Sequence, residues 1–124
     1  MSKKKVALFG WEPAAFFKYN SWPGLTEEKL KAQIEADIAS LVAMGLDAKA
    51  HYITAPETAY DSVVATLAAE KFDVILVGAG VRKVDANFLL FEAVINAIHV
   101  AAPNSKICFN TNPADTADAV KRWI

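Results

Sequence analysis

Three short groups of residues in this 124-residue chain could do chemistry: Gly10-Trp11-Glu12, Gly78-Ala79-Gly80 with Arg82 and Lys83 just beyond, and Asn110-Thr111-Asn112. Backbone amides at glycine turns and helix starts, with a guanidinium and an ammonium alongside, form a convergent donor set that suits a small carboxylate or phosphate. Glu12 is the only evident acid or base in their company, which makes it the one candidate for a catalytic group. The expected ligand-binding residues are therefore Gly10, Trp11, Glu12, Gly78, Gly80, Arg82, Lys83, Asn110, Thr111 and Asn112. A plainer reading stands beside this one: glycines for positive φ, Asn112 as a helix cap, Arg82 and Lys83 in solvent. Neither reading names a cofactor or a reaction.

The familiar nucleotide and phosphate chemistries are missing from the spacing. A P-loop needs two glycines with four residues between them, followed by Lys and Ser or Thr, and no strand here ends that way. Gly78-Ala79-Gly80 opens like a dinucleotide fingerprint, but Lys83 stands where its third glycine should fall. Cys108, the only cysteine, sits inside the apolar run Ile107-Cys108-Phe109 with no Arg five residues on, so it reads as a buried small hydrophobe and not as a nucleophile. One cysteine and two histidines, His51 and His99, provide neither a disulfide nor a readable metal site.

What brings the three groups together is the order of elements. Val6 to Phe9 and Asp73 to Val77 are short continuous aliphatic runs of the kind covered on both faces in a parallel sheet. Ala48 to Ile53 alternates, with Lys49 and His51 among apolar residues, and reads as an edge strand; Lys106 to Asn110 is the fourth strand. Between them lie helices. Thr26 caps one that carries Leu30, Ile34, Ile38, Leu41 and Val42 and stops at Gly45, and Thr54 with Glu57 brackets Pro56 at the start of another, with Tyr60, Val63, Val64 and Leu67 inward. Asp85 is expected to cap a third, with Phe88, Leu89, Phe91, Val94, Ile95 and Ile98 inward, and Asn112-Pro113 to open a last one that packs Val120, Trp123 and Ile124 onto the sheet.

The βαβαβαβα order predicts a single domain over residues 1–124: a three-layer αβα sandwich on a parallel sheet of four or five strands, ordered 2-1-3-4. This layout resembles the flavodoxin-like, receiver-like and other Rossmann-like arrangements. It places a topological switch point, where ligands collect, between the first and third strands. The chain lacks the acidic residues and phosphate-accepting Asp that a receiver needs at those strand ends. It also has Trp11-Glu12-Pro13 where a flavodoxin has a Ser/Thr-rich phosphate loop.

Composition narrows the partners. A net charge of -1, with 22% charged and 54% hydrophobic residues, leaves no basic patch for nucleic acid or an anionic membrane, and no apolar stretch reaches the ~20 residues of a membrane span. The expectation is a soluble cytoplasmic domain. The segment from Trp11 to Gly24 is too long for a strand-to-helix loop and too aromatic for solvent, holding Trp11, Phe16, Phe17, Tyr19 and Trp22. Three readings fit it: a loop packed on the core of its own domain, a lid over a small anionic ligand at the Gly78–Lys83 turn, or a homodimer contact made by Phe16, Phe17, Tyr19 and Trp22 in a non-catalytic domain.

Overall fold

A computed structural model describes residues 3–124, apart from the side chain of Pro113. Strands β1 (Lys5–Trp11), β2 (Asp47–Ile53), β3 (Val74–Val77) and β4 (Lys106–Phe109) form one all-parallel sheet in the order β2-β1-β3-β4. There is no fifth strand among the described residues. β1 runs past Gly10 to Trp11 because β2 continues beside it, with Gly10 opposite Tyr52 and Trp11 opposite Ile53. The polar strand lies at an edge, as its alternation requires, and the two aliphatic strands lie in the middle.

Alternation along the central strands divides the core between two faces. Ala7, Phe9 and Trp11 of β1 and Ile75 and Val77 of β3 pack against helices α3 (Pro56–Ala69) and α5 (Phe88–Ala101). Val6, Leu8, Val74, Leu76 and Cys108 face α2 (Glu27–Ala43) and α6 (Thr116–Lys121) through Leu41, Ala119 and Val120. Val6, Ile75, Val77 and Val94 are fully shielded, and each such side chain is worth about 1.5–3 kcal/mol relative to exposure. No helix among the described residues is long and apolar enough to cross a membrane.

Several local expectations are corrected. The 11–24 segment is not an extended loop: it holds a helix α1 (Pro13–Tyr19), which Glu12 caps with hydrogen bonds from Ala14 N (3.1 Å) and Ala15 N (2.9 Å). The domain's own core takes up most of its aromatic surface. Trp11 and Phe16 are buried, Phe17 and Trp22 pack against them, and Tyr19 alone is exposed, at 41%. Thr54 does not cap α3, because the chain stays extended through Ala55, which occupies the cap position without a side-chain bond. Nor does Asp85 cap α5: a 3-10 turn over Asp85–Asn87 comes first. That turn rotates the helix so that Leu90 faces the core while Phe88 and Leu89 are 66% and 72% exposed. Tyr60, Val42, Trp123 and Ile124 also lie outside the core. Thr26, Gly45 (φ 88°) and Asn112 do act as read, Asn112 in a capping box with Asp115.

Candidate functional site: a cleft at the carboxyl ends of the strands

On the α2 face, the side chains that follow Val6 and Leu8 along β1 end at Gly10, and those that follow Val74 and Leu76 along β3 end at Gly78. The two glycines are adjacent in register: Phe9 pairs with Val77, and Gly78 N donates to Phe9 O at 2.9 Å. Tyr52 lies beside Gly10 on β2, and Asn110 follows Phe109, the β4 partner of Val77. The row Tyr52, Gly10, Gly78, Asn110 thus lacks two side chains at its centre. Neither glycine has a positive φ, which only Gly24 and Gly45 show, so the expected conformational role is corrected: these glycines act by leaving space. A cleft of about 200 Å³ occupies that space, below the usual pocket range of about 300–1,000 Å³.

The walls are apolar and aromatic. Leu30 and Ile34 of α2, Leu8 and Leu76 of the sheet, and Trp11, Phe16, Trp22 and Leu25 are among the residues that line it. Gly80 lets the short helix that follows β3 come close to them: a Cβ there would stand 3.3 Å from Phe16 Cε1. The polar end of the cleft is a chain of hydrogen bonds. Ala79 N donates to Asn110 Oδ1 (2.8 Å), Asn110 Nδ2 donates to Thr116 Oγ1 (2.9 Å), and Thr116 Oγ1 donates to Asp37 Oδ2 (2.9 Å). The Thr116 hydroxyl is held between these two partners, and the residue is only 1% exposed.

Of the expected site residues, Gly10, Trp11, Gly78, Gly80, Asn110 and Asn112 line this cleft. Glu12, Arg82, Lys83 and Thr111 do not. Glu12 caps α1; Arg82 Nη2 donates to Asn110 O (3.0 Å) with its guanidinium over the Phe109 ring; Lys83 Nζ donates to Thr111 O (3.1 Å). Helix α4 (Ala79–Arg82) turns both cations toward the end of β4. Sequence reasoning missed Asp37 and Thr116. A signal for Asp37 was present: it falls at helical spacing between Ile34 and Leu41, on the stripe where an apolar residue belongs.

Two further titratable groups are shaped by burial. The Cys108 thiol is pushed up to about 11 by desolvation against a weaker pull from Arg122, which leaves it a protonated core residue. His51, in the cleft lining, stacks on Phe9 and meets Phe72 edge-on; burial lowers its pKa, favouring the neutral ring, and its Nε2 has no hydrogen-bond partner. Among the described residues no three His, Cys, Asp or Glu side chains are grouped so as to hold a metal ion. No family model matches the chain, and no curated protein matches its sequence.

Proposed function

We propose that this chain binds a small, largely apolar molecule of single-ring size in the cleft at the carboxyl ends of β1, β3 and β4. The observation that carries the reading is the pair of adjacent glycines, Gly10 and Gly78, on the α2 face. Side chains there would extend the core; their absence leaves an aromatic-walled space at a topological switch point, where ligands collect in this architecture. A Cβ at Gly10 meets nothing within 4 Å, so the side chain of Gly10→Val starts in open space and its methyls would extend into the cleft. Fragments found by ligand-observed NMR on the wild type should lose binding to Gly10→Val while its melting temperature is kept; Gly78→Ala, which makes only ordinary contacts, serves if the valine disturbs β1. Equal binding to wild type and both variants would sink the proposal.

A small anion is the second reading, and one observation favours it: Arg82 Nε is buried without a hydrogen-bond partner. Such a ligand would sit beside β4 and lose its affinity in Arg82→Ala but not in Gly10→Val. Self-association through Phe16, Phe17, Tyr19 and Trp22 would have Tyr19 as its one exposed ring, since Phe16 is turned inward and the other two are half-buried.

A further inference from the structure

Asp37 is a carboxylate on the apolar stripe of α2 and part of the cleft lining. Its oxygens accept from two neutral donors: Gln33 Nε2 on Oδ1 at 3.1 Å and Thr116 Oγ1 on Oδ2 at 2.9 Å. It has no ion pair among the described residues, where the bridges run from Lys5 and Lys49 to Glu70. A charge that acts on it is Asp115, of like sign. Burial pushes its pKa up and Asp115 adds to this, against the hydrogen bonds from Thr116 and Gln33. Asp37 thus stands at the polar end of an aromatic-walled cavity with no cation on it among the described residues, and an arriving cation would favour its ionised form.

We propose that the cleft ligand is a small aryl- or alkylammonium compound, with its ammonium on Asp37 and its apolar part in the space left by Gly10 and Gly78. This rests on the cleft being a binding site. An ionised carboxylate offers about four lone-pair positions, and two are taken, so it can accept an ammonium without giving up Gln33 or Thr116. Trp11 and Trp22 are among the lining residues, and indole rings tolerate a cation close by. An anion in the same place would meet Asp37 as a like charge, and a neutral isostere would gain a hydrogen bond without the charge. If Asp37 served only to tie α2 to α6 through Thr116, its loss would weaken the fold but leave ligand preference unchanged.

The experiment compares 2-phenylethylammonium, 2-phenylethanol and phenylacetate by calorimetry on the intact wild-type chain, Asp37→Asn and Gly10→Val. The amine should bind wild type at least about tenfold more tightly than the alcohol, a charge-assisted bond against a neutral one, and phenylacetate should bind weakest. In Asp37→Asn, which keeps the side-chain size, the amine should fall to the level of the alcohol; Gly10→Val should weaken all three. The wild-type comparison needs no variant to fold. If the alcohol or the acid binds wild type as tightly as the amine, the ammonium assignment is wrong and the cleft remains a site. If none of the three binds wild type, the cleft reading falls and this assignment with it.

Discussion

The two ends of the sheet treat a carboxylate in opposite ways. At the amino-terminal edge, Glu70 receives the ammonium groups of Lys49, at 3.1 Å, and Lys5, and those hydrogen bonds hold its pKa below the ordinary carboxylate range. At the carboxyl end, Asp37 receives an amide and a hydroxyl, and burial pushes its pKa the other way. The chain does not lack cations near the second end: Arg82 and Lys83 are there, but both are turned onto the carbonyls of Asn110 and Thr111. Pairing at the solvent edge settles strand ends at little gain, because exposed ion pairs are worth at most about 1 kcal/mol. An Asp37 with no cation on it among the described residues gains no such pairing, which is in keeping with the proposed ammonium contact.

The largest break in this comparison should come from the neutral hydrogen-bond chain that holds the cleft end together. Asn110→Ala removes the partner of Ala79 N and one partner of Thr116 in a buried setting, and urea unfolding should show a loss of about 2–3 kcal/mol. A loss below about 0.5 kcal/mol would mean that the floor of the cleft is not set by these bonds.

A smaller effect, of opposite sign, is expected at Asp37. Its folded pKa lies above the unfolded value, so the ionised carboxylate works against folding at neutral pH, and this penalty fades as pH falls through the folded pKa. Asp37→Asn should therefore be more stable than wild type near neutrality, by less than about 1 kcal/mol once solvent screening is counted. The two melting curves should converge in acid. A variant less stable than wild type at neutral pH would show that the carboxylate is there to hold α6, and the contrast between the two ends would lose its meaning.

The smallest effect belongs to the paired end. Glu70 has a depressed folded pKa, so its contribution is present above the unfolded value and is lost as pH falls through the folded one. The Lys5 pKa is raised by the same contact, so its share is present below the unfolded value and lost as pH rises through the folded one. Glu70→Gln should melt slightly below wild type at neutral pH and low salt. At about 1 M salt, where the Debye length is about 3 Å, the two should coincide. A difference that persists in high salt would make this a buried-type interaction and not a screened surface one.

Read by itself, the sequence determined the frame. Continuous aliphatic runs at 6–9 and 73–77 suit covered central strands, and Lys49 and His51 suit an edge for the second, so burial favours the order 2-1-3-4 that the sheet has. The caps at Thr26 and Asn112 and the stop at Gly45 were equally legible, because each needs only neighbours within a few residues. The site was legible as a place but not as a chemistry. Gly10, Gly78 and Asn110 were read together as strand-end residues suited to a small anion, whereas the space they create exists only once sheet register sets them side by side. The tertiary structure also decided where the charges go. Arg82 bonds a carbonyl 28 residues away and Asp37 meets a hydroxyl 79 residues away, and no local pattern encodes such partners because side-chain electrostatics depends on distance in space and on burial, neither of which is a property of spacing along the chain.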